Sequence, residues 1–272
     1  MIDVKGMANE QKAAVRAVTD RYPKGSIRLA VIQVGDDPAS SVYIRGKLKD
    51  CLETGIEGEH FHFPADADAR EILDLIEKKN AEEACKGILV QLPLPKQFSK
   101  ETQQKILGAI SVEKDVDGFR GESRHLPCTP RGILYILDAV AQKRGWASLE
   151  GKVACVIGRS QIVGKPMANL LIERGCTVIS CNSHTADLDR WLSQSDIIVS
   201  AVGRADFLTL DRKVDYAGKI IIDVGINRDA EGKLCGDCSR ALYDVVEDIT
   251  PVPGGVGLMT RSSLMENVVD GL

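Results

Sequence analysis

A phenol and an amine one helical turn apart are the residues with the clearest chemical potential in this chain. Tyr43 and Lys47 lie in the run Tyr43-Ile-Arg-Gly-Lys47, and this spacing places both side chains on one face of a helix. A lysine whose pKa is lowered by partial burial can take a proton from water, and a tyrosine beside it can polarise or protonate a substrate. The same spacing is typical of a solvated helix face. The surrounding fold must therefore distinguish a catalytic pair from a pair of exposed side chains.

Two further polar residues are predicted to lie near this pair. Gln91 ends the apolar run 86–92, and parallel α/β sheets bind ligands at their strand ends. We therefore expect Gln91 to hydrogen-bond the lysine. Asp117 precedes Gly118 in a predicted loop, where its carboxylate could accept two N–H groups from the edge of a guanidine-like ring. An acid in this position is also typical of a simple turn.

A second motif indicates a nucleotide site. Gly158-Arg-Ser-Gln-Ile-Val-Gly164 directly follows the apolar run 153–157. Glycine at each end permits a sharp turn and a close approach of the next helix, whose N-terminus offers free N–H groups to a phosphate. The spacing is not that of the GxGxxG fingerprint, so a plain strand-to-helix turn stays open. The next predicted strand ends in Asn182-Ser183 without a carboxylate, and Arg159 could meet a 2′-phosphate, which favours NADP over NAD.

The apolar periodicity predicts two successive alternations of strand and helix. The first has strands at 27–34, 59–63 and 86–92 and helices at 39–54, 68–80 and 102–109. The second has strands at 153–157, 177–181, 196–201 and 219–224 and helices at 166–174 and 185–193. A helix over 131–144, with Pro130 opening it, would carry the chain between them.

The alternation predicts an α/β protein with an N-terminal α/β catalytic domain and a C-terminal Rossmann-like NAD(P)-binding domain, with a cleft between them. We place the catalytic domain at 1–129 and the cofactor domain at 130–257. The Pro- and Gly-rich run 251–257 is predicted to be a stiff turn that excludes helix. A last helix at 260–269 is expected to pack back on the first domain, together with the rest of 258–272.

Composition excludes several classes of function. The 272 residues carry a formal net charge of −4, which gives no reason to expect nucleic acid or an anionic membrane as a partner. No apolar run approaches the roughly 20 residues of a membrane span, and the N-terminus lacks a signal-peptide core, so we expect a cytoplasmic protein. Most of the eight cysteines lie in apolar runs. Cys235-Gly-Asp-Cys238 has no second pair, so we expect reduced thiols and no metal.

In combination, these residues resemble the methylenetetrahydrofolate dehydrogenase/cyclohydrolase family across nearly the whole chain. The matching blocks include the Tyr43 run, the Gln91 run, the Asp117 turn and the glycine turn. They lie at 34–47, 87–95, 114–118, 127–130, 157–166, 223–227 and 250–257. The resemblance implies oxidation of 5,10-methylenetetrahydrofolate with NADP⁺ and hydration of the methenyl product to 10-formyltetrahydrofolate, in the one-carbon metabolism that serves purine biosynthesis.

The resemblance also implies roles for individual residues. Lys47 would be the central catalytic group with Tyr43 beside it, Gln91 would orient and tune the lysine, and Asp117 would hold the pterin edge. The remaining folate-binding residues would be Leu92, Pro253 and Gly254. The cofactor would be held by Thr129, Gly158, Arg159, Ser160, Ile162, Val163, Gly164, Ser183, Ile226, Gly257 and Thr260. Family members are generally homodimers that pair through the cofactor domain.

The chain departs from the family pattern at a few positions, and alternatives stay open. Asn182 replaces a usual histidine, which bears on the choice between NADP and NAD, and Leu258 replaces a usual proline. One alternative is a dehydrogenase without cyclohydrolase activity. Others are a shikimate-type NADP dehydrogenase and a non-catalytic folate- or nucleotide-binding protein. The retention of Tyr43, Lys47 and Gln91 favours the bifunctional enzyme over these.

Overall fold

The computed structural model describes residues 1–120 and 123–272, which form two compact units. One comprises residues 9–128 and 261–272 and is called here the Lys47 unit. The other comprises residues 1–8 and 129–260 and is called the Gly158 unit. The first eight residues therefore pack with the second unit, whereas the sequence prediction assigned them to the first.

The Lys47 unit is built on a parallel three-stranded sheet. Its strands are β1 (Arg28–Val34), β2 (Glu57–Phe63) and β3 (Cys85–Val90), in the order β2-β1-β3. The helices in this part of the chain are α1 (Val4–Thr19), α2 (Pro38–Thr54), α3 (Ala69–Ala81) and α4 (Lys100–Gly108), followed by a 3₁₀ turn at Val112–Lys114. The chain leaves β1 for β2 on one side and then returns to β3 on the other. The carboxyl ends of β1 and β3 are therefore a topological switch point, where α/β sheets bind ligands.

Helix α2 directly follows β1 and has well-defined ends. Asp37 accepts a hydrogen bond from the backbone N–H of Ser40 at 2.7 Å, and Pro38 occupies the first turn, where its missing N–H is not needed. Gly55 ends the helix in the left-handed region with a φ of 75°. These caps set where α2 begins and ends, and so fix the position of Tyr43 and Lys47 relative to the end of β1.

The Gly158 unit contains a parallel five-stranded sheet. Its strands are β4 (Val153–Ile157), β5 (Thr177–Cys181), β6 (Ile197–Ser200), β7 (Ile220–Asp223) and β10 (Asp248–Ile249), in the order β10-β7-β6-β4-β5. A short antiparallel pair, β8 (Asn227–Arg228) and β9 (Leu234–Cys235), follows β7. The helices are α5 (Cys128–Lys143), α6 (Gly164–Glu173), α7 (Leu188–Gln194), α8 (Leu242–Val245) and α9 (Val256–Val269). The switch point of this sheet lies between β4 and β6.

The inner strands of both sheets are buried, as expected for parallel strands covered by helices, whereas the edge strand β2 contains no buried residue. The inner strands β4, β6 and β7 are almost wholly buried and rich in isoleucine and valine. The C-terminal part of α9 contributes Leu264, Met265 and Val268 to the core of the Lys47 unit, beside Leu29 and Ile44. In the described part of the chain, no helix is long and apolar enough to cross a membrane.

The α/β class and the two alternations are confirmed, and several element predictions need correction. Helix α1 was not predicted, nor was β10, which completes the larger sheet beside β7. Helix α5 begins at Cys128, so Pro130 is its third residue and not its first. Helix α9 begins at Val256 inside the proline- and glycine-rich run, so the exclusion of helix there was wrong for its last two residues. The prolines precede them, and a helix can start after proline.

Candidate functional site

Lys47 is buried within the Lys47 unit and contacts two of the residues predicted to accompany it. Its side chain lies on α2, and the residue is only 4% exposed. Its ammonium nitrogen Nζ lies 3.0 Å from Oε1 of Gln91 and 4.9 Å from the centre of the Tyr43 ring. The fold therefore brings α2 and the end of β3 together around one amine, as expected where β1 and β3 diverge.

The side-chain amide of Gln91 is held in one orientation. Its Nε2 donates to the backbone carbonyl of Leu92 at 2.7 Å, and its backbone N–H donates to Ile32 on β1. These bonds leave Oε1 as the atom that faces the lysine. The Lys47 amine accordingly meets a neutral acceptor, which orients it without adding the charge that a carboxylate would bring.

Burial is the main cause of the electrostatic state of Lys47. It lowers the pKa of the amine from its usual range, while the charge of Asp117 is the largest influence that opposes the shift. Asp117 is half-buried, and burial raises the pKa of its carboxyl while Lys47 lowers it. The two groups therefore stabilise each other's charged forms, against the burial that acts on both.

Cys128 connects this site to the start of α5. The residue is 2% exposed, and its thiol lies 3.2 Å from the backbone oxygen of Val116, the residue before Asp117. The Nδ2 of Asn267 on α9 donates to that same oxygen at 2.8 Å. The loop that bears Asp117 is thus fixed from two directions, so the carboxylate is positioned by packing and not only by its own turn.

In the Gly158 unit, the glycine turn forms the tight cradle that a phosphate site needs. Gly158 has a φ of 107°, which L side chains rarely adopt, and a Cβ there would overlap the carbonyl of Ala201 after β6. A Cβ on Gly164 would overlap the carbonyl of Gly158. Both glycines are therefore required by close backbone approach, at the switch point between β4 and β6.

The hydroxyl of Ser160 satisfies the first N–H groups of α6. It accepts from the backbone N–H of Val163 at 3.2 Å and of Gly164 at 3.3 Å. Ser160 and Ile162 are themselves exposed. The turn therefore presents an accessible surface at the N-terminus of a helix, whose dipole favours an anion.

Arg159 lies beside the end of β5, where the ribose of a dinucleotide is usually recognised. Its guanidinium donates to the carbonyl of Ser180 at 2.6 Å. The following turn is organised by Asn182, whose Oδ1 accepts from the backbone N–H of His184 at 3.0 Å. Asn182 thereby shapes the turn that leaves Ser183 exposed.

Four of the predicted binding residues line one small cavity of about 90 Å³ in the Gly158 unit. The cavity lies between the loop after β7 and the run that precedes α9. The four are Ile226, Pro253, Gly254 and Gly257. The sequence analysis assigned two of them to folate and two to the cofactor, and the structure brings the four together. Thr129 and Thr260 form a further pair, with their hydroxyls 3.1 Å apart.

Two buried carboxylates that sequence reasoning missed hold this loop in place. Asp223 is fully buried at the end of β7, and it accepts from the backbone N–H groups of Asp237 at 2.8 Å and Cys238 at 2.9 Å. Asp237 in turn accepts from the hydroxyl of Ser200 and the backbone of Val202 after β6. Their sequence signal was weak because an acid within two residues of a glycine is common in turns. Cys235 and Cys238 are both free thiols.

A larger cavity of about 750 Å³ lies in the Lys47 unit, away from Lys47. It is lined by the end of α1, the loop before β1 and the end of α2. None of the predicted site residues lines it, so its size does not identify a functional site.

Comparisons with known proteins identify the class. Residues 2–117 match the model of the tetrahydrofolate dehydrogenase/cyclohydrolase catalytic domain, and residues 127–272 match the NAD(P)-binding domain of the same family. These matches cover both α/β units. The chain belongs to the tetrahydrofolate dehydrogenase/cyclohydrolase family, and the prediction made from the sequence motifs is confirmed.

Individual relatives agree along the full length. The chain is 46% identical over 284 aligned residues to the bifunctional protein FolD of Dechloromonas aromatica, covering 99% of this chain and 96% of the relative. The crystal structure of the bifunctional FolD enzyme from Campylobacter jejuni superposes with a TM-score of 0.90 at 40% identity, covering 98% and 96% of the two chains. The FolD of Trypanosoma brucei, solved with NADP and an inhibitor, superposes with a TM-score of 0.83 at 29% identity, covering 98% and 95%.

Proposed function

We propose that this protein is a bifunctional enzyme that oxidises 5,10-methylenetetrahydrofolate with NADP⁺ and hydrates the methenyl product to 10-formyltetrahydrofolate. Family membership supports both activities. The observation that carries the second is the buried Lys47 amine on Gln91, because a dehydrogenase alone needs no proton-transfer group with a lowered pKa. A non-catalytic binding protein would not need one either.

For the first reaction, the bound cofactor supplies the hydride acceptor and the protein supplies geometry. The residues present fit a dinucleotide, since the two glycines form a cradle that any Cβ would fill. We assign the phosphate end to Gly158, Ser160 and Gly164, and the nicotinamide side to Ile226 and Thr260. No side chain has to act as a nucleophile in this step.

For the second reaction, a water adds to the carbon between the two folate nitrogens. We assign to Lys47 the removal of the water proton as the C–O bond forms. The hydroxyl group on that carbon then gives up its remaining proton as the C=O bond forms and the bond to N5 breaks. N5 keeps the electron pair of the broken bond and takes a proton, which leaves the formyl group on N10. Gln91 orients the amine, Tyr43 packs beside it and Asp117 accepts N–H groups from the pterin edge. Leu92, Pro253 and Gly254 are assigned to the substrate surface.

A time course with 5,10-methylenetetrahydrofolate tests this proposal directly. We expect the reduced cofactor to form while little methenyl compound accumulates, when acid-quenched and untreated samples are compared. Reduced cofactor with accumulating methenyl compound would show that the protein is a dehydrogenase only. If no reduced cofactor forms, the result would favour a non-catalytic binding protein.

We assign the cofactor preference to NADP⁺ because of the charges at the end of β5. Arg159 bonds to Ser180 there, and the turn through Ser183 contains no carboxylate to accept a ribose hydroxyl. Running the same assay with NADP⁺ and NAD⁺ in parallel tests this assignment. We expect the higher kcat/KM with NADP⁺, and equal or better efficiency with NAD⁺ would refute it.

The assembly and location follow from the same family. We assign the protein to the cytoplasm and to a homodimer that pairs through the Gly158 unit. Strand β5 is an edge of the five-stranded sheet, and an edge strand offers unpaired backbone groups to a second copy. Sedimentation at micromolar concentration should give twice the mass of one chain, and a single-chain mass would exclude the dimer.

A further inference from the structure

Arg261 on α9 reaches across α2, the helix that bears Lys47. Its guanidinium passes over Gly46, the residue before Lys47, so closely that a Cβ at position 46 would overlap it. Glycine inside a helix is unfavourable relative to alanine. The space above Gly46 is therefore occupied by one specific side chain, which gives this glycine a structural reason.

The guanidinium is fixed by a buried carboxylate one turn further along α2. Nε of Arg261 lies 3.0 Å from Oδ2 of Asp50, and Asp50 is 3% exposed. The other carboxylate oxygen, Oδ1, lies 3.3 Å from Nζ of Lys12 on α1. Arg261 is itself largely covered, with 21% of its side chain exposed. The positive charge is thus held in place beside α2.

The charges around Lys47 come from several elements of the Lys47 unit. Asp117 in the loop before α5, Cys128 at the start of α5 and Cys51 on α2 favour the protonated amine, and Arg261 opposes it. The Tyr43 ring and the neutral Gln91 amide complete the immediate surroundings. Asp117 is the carboxylate among these groups, because burial raises the pKa of the Cys51 thiol to about 12 and keeps it neutral. Arg261 is the cation that acts with burial and against Asp117.

We propose that Arg261 is a positioning residue for hydration: held over Gly46 by Asp50, its guanidinium keeps a fixed positive charge beside Lys47 and favours the uncharged amine. The proposal rests on the proposed cyclohydrolase function. A buried cation near the amine raises the free energy of the ammonium form, because like charges repel strongly where water is excluded. The uncharged amine, which can accept the proton of the attacking water, then forms at a lower pH than it would without the guanidinium.

The test is the pH profile of kcat/KM for hydration, measured on methenyltetrahydrofolate by loss of its near-ultraviolet absorbance, with the uncatalysed rate subtracted. The main variant is Arg261→Met, which removes the charge and keeps a long apolar side chain. We expect its acid limb to move to higher pH by about half a unit to one unit. Arg261→Lys restores a positive charge and should return the profile towards that of the unmodified protein.

Two additional variants separate the charge from its side effects. Gly46→Ala places a Cβ where the guanidinium lies and suits a helix better than glycine, so it should displace Arg261 without unfolding α2 and move the profile in the same direction. In Arg261→Met, the Asp50 carboxylate loses its partner Arg261 and could itself change the pH profile. The double variant Arg261→Met, Asp50→Asn removes that carboxylate as well. We expect the shift to persist in it.

Arg45→Met is the matched control, because Arg45 is an exposed arginine on the same helix and water screens its charge. Its profile should coincide with that of the unmodified protein. A profile unchanged in Arg261→Met, or no recovery in Arg261→Lys, would overturn the proposal. A shift that disappears in the double variant would assign the effect to Asp50 and overturn it also.

Failure of the proposed function gives a different result. If the unmodified protein hydrates no methenyl compound, the cyclohydrolase assignment fails before any variant is compared. The dehydrogenase rate of each variant with NADP⁺ serves as the folding readout. We expect it to stay within about twofold of the unmodified protein, since hydride transfer needs no proton acceptor at Lys47.

Discussion

The two units place their predicted sites at equivalent points of two parallel sheets, but they build them from different parts of the chain. In each sheet the first strand pairs with the second strand on one side and with the third on the other, and the site lies where the first and third strands diverge, at β1/β3 and at β4/β6. The Lys47 site consists of covered side chains, with Lys47 only 4% exposed. The Gly158 site consists of backbone, and its side chains are open, with Ile226 64% exposed.

This difference follows from the two chemical tasks. Proton transfer needs an amine with a shifted pKa, and burial is the main source of that shift. Phosphate binding needs N–H groups and close approach, which the backbone of a glycine turn supplies without any titrating group. Substitutions should therefore act on reaction rate and pH dependence in one unit and on cofactor affinity in the other.

The largest expected effect is that of Lys47→Met on hydration. Loss of the proton acceptor should reduce kcat for hydration roughly 100- to 10,000-fold, with the methenyl compound accumulating while reduced cofactor still forms. The control is Lys49→Met on the same helix, whose side chain is 73% exposed. Full hydration by Lys47→Met would show that Lys47 is not the proton acceptor. It would also contradict the assignment of proton transfer to the Lys47 unit.

In the Gly158 unit, the substitution with the largest expected effect is Gly164→Ala. A methyl group there meets the carbonyl of Gly158, and relief of the overlap must widen the turn. We expect the KM for NADP⁺ to rise roughly 10- to 100-fold, while hydration of supplied methenyltetrahydrofolate is retained. Gly108→Ala is the control, since a Cβ on Gly108 meets nothing within 4 Å. Equal loss of both activities would show that the two sites are not separable in this way.

A negative charge at position 91 tests the role of Lys47 through the pH dependence of hydration. The uncharged amine increases as pH rises through the pKa of Lys47, so hydration has an acid limb at that pKa. Gln91→Glu places a carboxylate against the amine, favours the ammonium form and raises that pKa. The acid limb should move to higher pH by about 1–3 units. The rate of hydration at neutral pH should therefore decrease, because less of the amine is uncharged there. Gln91→Met, which adds no charge, separates this effect from loss of the hydrogen bond, and a shift to lower pH in Gln91→Glu would contradict the assigned role.

The smallest effect is expected at the open surface of the Gly158 unit. Arg159→Gln should reduce kcat/KM with NADP⁺ about fivefold to tenfold, since an exposed charge contact contributes modestly. The value with NAD⁺ should change little, because NAD⁺ has no 2′-phosphate. Parallel kinetics with both cofactors measure this ratio, and an equal decrease with each would show that Arg159 stabilises the turn and does not select the cofactor.

Much of the fold was predictable from local pattern. The buried strands of both sheets read as short apolar runs, and the caps of α2 are visible as Asp37, Pro38 and Gly55. Helix α1 was missed although Val4, Met7 and Ala8 lie at helical spacing and Val4 and Ala8 are buried. Strand β10 was missed because a two-residue strand has too few residues to show a period.

Some features of the candidate site could likewise be predicted from the sequence, and others could not. The pairing of Gln91 with Lys47 could be predicted because both follow strand ends of one sheet, and the structure places them 3.0 Å apart. The roles of the site residues remain predictions. The Asp50–Arg261 ion pair and the Asp223 and Asp237 networks could not be predicted, because each joins segments far apart in the sequence through a single ordinary residue type.

The sequence by itself determined the family and the two α/β alternations and supplied the candidate site residues, since these depend on residue type and short spacing. Only the tertiary structure decided the burial of Lys47, the fixed amide of Gln91 and the cation over Gly46. The physical reason is that a pKa depends on everything packed around a group. Residues 44, 70 or 214 positions away from Lys47 in the chain, namely Gln91, Asp117 and Arg261, contribute to that surrounding.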